Sequence, residues 1–244
     1  MAAIDFDDRQ QRELTKSKLS HRLCLAGGWR QTYASEYYGA MIARSVRDLM
    51  PNGAVGRRVL EIGCGTGTQA LVYAMLGARV IGVDANTVRV DIARKRCDFY
   101  RALLGRRLDV EFVHADVFVY TPPERLCFDA IYSMFALNLI QPTVALVPRL
   151  HAWLTPGGRL VIDDGNYAHL KFCLRRSARA LTPASMEKCL ADHGLSVESL
   201  SYEGVCPPWL WLSPLIARRL SMQAIPERLG RVLGRAYHLV ASRA

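Results

Sequence analysis

The sequence lacks the features that mark disulfide-stapled, zinc-binding and membrane-spanning proteins. Its seven cysteines include no C-x-x-C pair, and 244 residues are enough to bury a core without disulfides. No apolar run approaches the roughly 18 to 20 residues of a membrane span. The opening residues are acidic, unlike a secretion signal. These absences predict a reduced, cytoplasmic protein with no structural zinc and no transmembrane segment.

Lysine is also scarce: 27 of the 32 basic residues are arginine. The net charge is +10, but residues 59–167 are neutral, so the excess lies in 1–58 and 168–244. A basic run on the predicted helix 86–104 is interpreted as a solvated face. It comprises Arg94, Lys95, Arg96 and Arg101. The charge leaves open a nucleic-acid partner or simply a basic surface.

One stretch organises the rest of the chain. Residues 59–67 begin as a β-prone run and end in three glycines at alternate positions, and a second apolar run, 78–83, leads to Asp84. Between them, apolar residues at helical spacing predict a helix over 69–76, which completes a strand–turn–helix–strand unit. Alternate glycines allow a sharp turn and bring main-chain N–H groups close to a ligand at the helix start.

The spacing separates two ligand classes for such a turn. A dinucleotide fingerprint requires glycine or alanine five residues after the first glycine, where this chain has Thr68. The pattern is instead Glu-x-Gly-x-Gly-x-Gly from Glu61, with Asp84 lying 23 residues beyond it. At this point the sequence resembles the class I S-adenosylmethionine-dependent methyltransferases.

The resemblance implies a binding mode for S-adenosylmethionine and its product S-adenosylhomocysteine. In that family the glycine turn packs on the methionine part, the motif acid orients the amino group, and the second-strand acid binds the ribose hydroxyls. The matching positions are Glu61, Gly63, Cys64, Gly65, Gly67, Asp84 and Ala85. A third strand, 110–116, ends at the family's adenine position, so Asp116 and Val117 are the predicted adenine pair. A turn-capping role for Asp116 is the alternative.

The fourth strand, 127–135, is expected to face the transferable methyl group, with Ser133 as a cofactor contact. The polar-Pro-Pro-aromatic motif of DNA and protein amide N-methyltransferases does not follow it, and neither does the Pro-Cys nucleophile of pyrimidine C5-methyltransferases. Catechol-type enzymes need a metal-binding Asp there, but this chain has Met134 and Phe135. No metal is therefore predicted, despite the downstream acidic run 163–166.

Three side chains are candidate general bases, needed only if the nucleophile must lose a proton. They are His169, Asp164 and His21.

Both ends of the chain carry aromatic segments outside the cofactor core. Residues 5–25 show no strong periodicity, whereas Trp29, Tyr33 and Tyr37 share one face of a helix that continues through Val46. The resemblance implies a helical lid there, so Tyr33 and Tyr37 are counted as cofactor contacts; plain packing is the alternative. The Trp-rich insert 206–236 is open to four readings: a pocket cap, a homodimer contact, a membrane-interface element or a packed subdomain.

The expected fold is an α/β single domain with a doubly wound seven-stranded sheet. The resemblance supplies the order 3-2-1-4-5-7-6, with the last strand antiparallel. The domain divides into an N-terminal lid (1–54), a cofactor-binding core (55–205), the insert (206–236) and the last strand (237–244). The favoured function is methyl transfer to an oxygen, nitrogen or carbon of a small-molecule metabolite. An RNA-modifying methyltransferase and a non-catalytic cofactor-binding subunit remain as alternatives.

Overall fold

The computed structural model describes residues 4–14, 40–123, 127–168, 181–203 and 226–244. Its strands are β1 (Arg58–Ile62), β2 (Arg79–Asp84), β3 (Val110–His114), β4 (Phe128–Met134), β5 (Leu154–Gly165), β6 (Leu195–Glu203) and β7 (Ala236–Arg243). They form one sheet in the order β3-β2-β1-β4-β5-β7-β6. Strands β1 to β5 are parallel, and β7 runs antiparallel to β5 and β6. The expected topology is confirmed.

Helices cover both faces of this sheet. They are α1 (8–14), α2 (40–49), α3 (Thr68–Met75), α4 (Thr87–Leu104), α5 (Thr143–Trp153), α6 (Pro183–Asp192) and α7 (Glu227–Leu233). On one face, α3 and α4 pack on Val59 and Val80; on the other, α5 and α6 pack on Leu60 and Leu160. Neighbouring strand residues thus point into different cores, which explains why the central strands are apolar on both sides.

Local capping explains where two helices start and stop. Asn86 accepts the Arg89 N–H at the start of α4, and Gly105 ends that helix with φ 60°. Thr182 caps α6 by accepting the Ser185 N–H at 3.2 Å, and Pro183 follows it. A side-chain oxygen at the N-cap satisfies an orphan N–H of the first turn, and proline is well suited to the first helical position.

Helix α1 lies where the sequence shows no strong periodicity. Asp7 Oδ1 accepts the Gln10 N–H at 2.8 Å, and Gln10 Oε1 accepts the Asp7 N–H at 3.2 Å. This reciprocal pair is a capping box, whose Asp-x-x-Gln signature is legible in the sequence without any apolar period. Lys95 Nζ donates to Gln10 Oε1 at 2.9 Å, which fastens α1 to α4.

The basic face of α4 does not behave as a freely solvated surface. Arg94 donates to the Phe112 carbonyl at 2.8 Å, Arg96 to the Thr66 carbonyl at 2.6 Å, and Arg101 to the Leu108 carbonyl at 3.0 Å. These bonds connect α4 to the loops and strands beside it. The face is exposed at Arg94 and Lys95, as the interpretation of a solvated face expected, but its arginines also brace the fold.

The described part of the predicted insert packs on the sheet edge. Helix α7 sets Gly230 so closely on Tyr202 of β6 that an added Cβ would lie 2.5 Å from the Tyr202 Cβ. Asn166, after β5, donates to the Gly234 carbonyl at 2.8 Å and ties the two segments together. Among the described residues, no helix is both long enough and apolar enough to span a bilayer.

Candidate active site

A cavity of about 1040 Å³ opens where the parallel strands end. The carboxyl ends of such strands meet at one edge of the sheet, so residues distant in sequence converge there. Eight of the predicted cofactor-binding residues line this cavity: Glu61, Gly63, Cys64, Gly65, Asp84, Ala85, Asp116 and Val117. It is lined further by Ile42, Thr66, Thr68, Gln69, Val83, Arg89, Ala115, Phe118, Met134, Phe135, Ala136, Leu139, Ile140 and Gln141.

The three glycines of the turn have positive φ values of 70°, 52° and 76°. They meet different surroundings. A Cβ on Gly65 would meet nothing within 4 Å, whereas one on Gly63 would lie 2.2 Å from the Ala136 Cβ. A Cβ on Gly67 would lie 2.6 Å from the Phe112 ring. Gly65 thus keeps the cavity open, and Gly67, which does not line it, lets α3 pack closely on the sheet.

Glu61 is a buried carboxylate at the cavity wall, with 1% of its surface exposed. Its Oε2 atom has no hydrogen-bond partner among the described residues. Burial, with a smaller contribution from the charge of Asp84, raises the pKa of Glu61 to about 8, against an opposing hydrogen bond from the Ala70 amide. An unpartnered buried acceptor at a ligand-sized cavity fits a ligand that brings a positively charged donor, such as an ammonium group.

Asp84 ends β2 directly opposite the glycine turn. Its Oδ2 accepts the Gly65 N–H at 2.8 Å, and its Oδ1 accepts the Asn86 N–H at 2.8 Å. These bonds fix the carboxylate at the cavity, and each oxygen retains a second lone pair for a hydroxyl donor. Ala85 follows on the same wall.

Asp116 has the turn-capping role, and its position at the cavity leaves the predicted adenine contact open. Its Oδ1 accepts the Phe118 N–H at 2.8 Å, which is the turn-capping role. Asp116 also lines the cavity together with Val117, as an adenine contact requires. The cap fixes this loop beside the end of β3, so capping and ligand binding are compatible.

The loop after β4 forms an apolar wall on the other side of the cavity. Phe135 adopts φ 49°, a left-handed conformation that is costly for an aromatic residue. Its N–H donates to the Asp163 carbonyl at 2.7 Å, which holds the strained backbone in place. Met134, Leu139 and Ile140 continue this wall.

Two predicted site residues lie behind the wall. Asp164 is buried; its Oδ2 accepts the Asn138 N–H at 2.9 Å and its Oδ1 accepts the Gly165 N–H at 2.7 Å. Burial raises the pKa of Asp164 to about 6. Ser133 is also buried, and its Oγ has no partner in the described part of the chain. Neither residue is among the described residues that line the cavity.

Several predicted residues lie outside the described residues: His169 and His21 as bases, and Trp29, Tyr33 and Tyr37 as the lid face. Their assignments remain predictions, as does that of Asp164.

A buried ionic cluster supports the apolar wall from below. Arg44 of α2 donates to Asp163 at 2.7 Å and to Glu203 at 2.9 Å, and Asp163 also bonds Tyr132 and His238, each at 2.8 Å. Burial alone would raise the pKa of Asp163, but these partners hold it below its usual value. Arg44 thereby links α2 to Asp163, whose backbone carbonyl also accepts the Phe135 N–H. Helix α2 in turn supplies Ile42 to the cavity lining.

The sequence reasoning missed Arg89 as a cavity residue. Arg89 lies in the first turn of α4, and its Nε donates to Glu13 of α1 at 2.8 Å. Glu13 is 76 residues away in sequence. The sequence offered one clue that Arg89 lines the cavity: it lies five residues after Asp84 and therefore near the carboxyl end of β2.

A family model described as a methyltransferase domain matches residues 59–158, from β1 into β5. These residues contain the glycine turn, Glu61, Asp84 and Asp116, which meet at the cavity. This match identifies residues 59–158 as similar in sequence to a methyltransferase domain. The observed strand order is the one that the resemblance implied for such a domain.

Known methyltransferases are similar to part of this chain. The chain is 35% identical over 118 residues to phosphoethanolamine N-methyltransferase of Triticum aestivum, covering 48% of this chain and 21% of that protein. It is 36% identical over 110 residues to demethylmenaquinone methyltransferase of Clavibacter sepedonicus, covering 45% of this chain and 41% of that protein. The chain thus spans about a fifth to two fifths of these relatives. Magnesium protoporphyrin IX methyltransferase of Synechocystis PCC 6803, crystallised with bound SAM, aligns over 100% of both chains with a TM-score of 0.63 and 16% identity, so it shares the fold.

Proposed function

We propose that the protein is an S-adenosylmethionine-dependent methyltransferase that acts on a small-molecule acceptor. The observation that carries the proposal is the arrangement of Glu61, Gly65 and Asp84 around one cavity at the ends of β1 and β2. Glu61 offers an unpartnered buried oxygen, Gly65 leaves open space, and Asp84 offers a fixed carboxylate. Together they match three parts of the cofactor: the ammonium group, the chain that carries the sulfonium, and the ribose.

In this proposal each residue has a distinct binding role. Glu61 accepts from the cofactor ammonium, Asp84 accepts from the ribose hydroxyls, and Asp116 with Val117 binds the adenine. When bound, the cofactor supplies a methyl group on a sulfonium centre that is already an excellent leaving group. The protein's contribution is therefore mainly positioning and water exclusion, to which the wall of Met134 and Phe135 is suited.

The acceptor provides the electron pair for the new bond. It attacks the methyl carbon as the carbon–sulfur bond breaks and its electrons pass to sulfur. A neutral hydroxyl or amine acceptor also gives up a proton, and we retain His169 and Asp164 as the candidate bases. An acceptor that is already ionised needs neither.

Replacement of Asp84 tests the cofactor assignment. We expect Asp84→Asn to weaken the binding of S-adenosylhomocysteine by about 2 kcal/mol, because the hydroxyl donors lose a charged acceptor in a closed site. Isothermal titration calorimetry measures the change. Asp109→Asn is the matched control, since Asp109 is an exposed acid on the loop before β3 that does not line the cavity.

The calorimetry has a clear contrary result. An unchanged dissociation constant for Asp84→Asn would place the ribose elsewhere and remove the basis for the proposal. If the wild-type protein binds the cofactor but transfers no methyl group to any acceptor, the non-catalytic subunit becomes the better assignment.

A further inference from the structure

The two ends of the cavity differ in chemistry. The side chains of Glu61, Asp84 and Asp116 lie at the end formed by β1, β2 and β3. The opposite end, beyond β4, is lined mainly by Ile42, Met134, Phe135, Leu139 and Ile140, with Gln69 and Gln141 as its uncharged polar residues. In the proposed function the polar end holds the cofactor. The apolar end is then the surface that the acceptor contacts.

The described residues of the apolar end carry no charged side chain that could contact an acceptor. Among the described residues that line the cavity, Arg89 is the single cation, and it lies on α4 at the polar end, engaged with Glu13 at 2.8 Å. Phosphate and carboxylate groups are normally bound by arginine or lysine in charge-assisted hydrogen bonds. The described wall therefore does not suit an acceptor whose recognition depends on an anionic group.

The cavity is large for a single-ligand pocket. Its volume of about 1040 Å³ is at the upper limit of pockets that hold one drug-sized ligand, which span about 300–1,000 Å³. A bound cofactor would therefore leave room at the apolar end.

The apolar wall is preformed and open. Leu139 is 73% exposed and Phe135 40% exposed, although burial of such side chains is favourable. Phe135 keeps this position in a costly backbone conformation that the Asp163 carbonyl stabilises. Strain maintained at a cavity wall is typical of a functional surface. The Phe135 ring and the Met134 thioether are groups that favour contact with a ring.

We infer that the acceptor is an apolar aromatic or quinone-type ring compound. This inference rests on the proposed function and assigns the class of its second substrate. The relatives do not decide the point, because one is named for the polar phosphoethanolamine and another for demethylmenaquinone. The apolar and aromatic side chains of the wall favour a ring compound as the acceptor.

The test compares two probes on the full-length protein, with and without saturating S-adenosylhomocysteine. We expect 2-naphthol to bind in calorimetry, more tightly when the cofactor product is present, and phosphoethanolamine to show no binding. Leu139→Arg should weaken 2-naphthol binding at least tenfold and leave the affinity for S-adenosylhomocysteine unchanged within twofold. Val144→Arg is the matched control, because Val144 is similarly apolar and 47% exposed but does not line the cavity.

Two results would overturn the inference. One is tight binding of phosphoethanolamine with no binding of 2-naphthol. The other is an equal loss of 2-naphthol affinity in Leu139→Arg and Val144→Arg, which would place the ring outside the cavity. Failure of S-adenosylhomocysteine to bind the wild type would instead contradict the proposed function, and the preference between the probes would still be read from the free protein.

Discussion

Gly65 and Gly67 lie two residues apart in one turn but are constrained by different neighbours. We expect Gly65→Ala to weaken S-adenosylhomocysteine binding at least tenfold, because the methyl group enters cavity space. Its loss of stability should be about 1 kcal/mol, the cost of an L-residue in the left-handed region. Gly67→Ala should cost about 3 kcal/mol, since its methyl group also overlaps the Phe112 ring at 2.6 Å. Calorimetry and urea denaturation separate the two effects.

The reverse pattern would contradict the assignment. If Gly65→Ala destabilised the protein while the remaining folded fraction bound normally, the turn would be structural and the cofactor would not approach it.

Glu61 makes cofactor binding depend on pH. Its pKa of about 8 means that the free protein carries a protonated Glu61 at neutral pH, whereas an ammonium ligand requires the carboxylate. The affinity for S-adenosylhomocysteine should therefore fall as the pH drops below 8, by up to about tenfold per pH unit. Titration calorimetry between pH 6 and 8 measures the slope, and Glu61→Gln should flatten it.

The same group predicts the pH dependence of stability in the free protein. Because the folded-state pKa is raised above the unfolded value of 4.5, Glu61 contributes stability at low pH that is lost as the pH rises toward 8. Glu61→Gln should thus gain stability relative to wild type across this range, as thermal denaturation at pH 5 and pH 8.5 would show. If the stability difference between Glu61→Gln and wild type were the same at pH 5 and pH 8.5, Glu61 would be solvated in the folded protein.

At the level of single residues, the sequence predicted those site positions whose chemistry lies in one short motif. Glu61, Gly65 and Asp84 were found because the glycine turn and the two strand ends are local features. Phe135 was not recognised as a wall residue, because its strained conformation depends on the Asp163 carbonyl of the neighbouring strand. No residue pattern reports that contact.

Helix α2 is held on the sheet by charge as well as by apolar packing. Arg44→Met should destabilise the protein by about 3 kcal/mol, because Asp163 and Glu203 would remain buried without their cation. Arg47→Met, on the same helix, should cost less than about 1 kcal/mol, since Arg47 is largely exposed. Urea denaturation at pH 7 measures both.

The pH dependence checks the cause. Because the pKa of Asp163 is lowered from 3.8, its contribution is present above that value and is lost as the pH falls through the folded-state pKa. The gap between wild type and Arg44→Met should narrow in that acid range. Equal losses for the Arg44 and Arg47 variants at pH 7 would show that the buried pair is not what holds α2.

At the level of elements, the resemblance supplied the strand order, and local signals supplied most helix boundaries. Thr182, Asn86 and Gly105 act at the positions where short-range rules place caps. Helix α1 was missed because its signal is a capping box and not an apolar period. Its docking through Glu13 and Arg89 joins segments that are far apart in sequence, which local patterns do not encode.

For the whole molecule, the net charge of +10 invites a nucleic-acid partner. Within the described residues, however, arginines such as Arg94, Arg96 and Arg149 donate to carbonyl oxygens of neighbouring loops and strands. We expect a generic RNA to bind only weakly at low salt and to dissociate by about 0.15 M salt, with a log–log slope of several units. Fluorescence anisotropy measures this. Binding that survives physiological salt, with methyl incorporation into RNA, would favour the RNA-modifying alternative.

The pairing of β5 with β7 has a consequence for synthesis on the ribosome. Asp163 and its partner His238 are 75 residues apart, whereas β4 and β5 follow each other closely. At about 5–20 residues per second, β5 would wait several seconds with one edge open, exposing Leu160, Val161 and Ile162 to other nascent chains. Strand β5 thus completes its hydrogen bonding only after β7, which is made about 70 residues later, has left the ribosome.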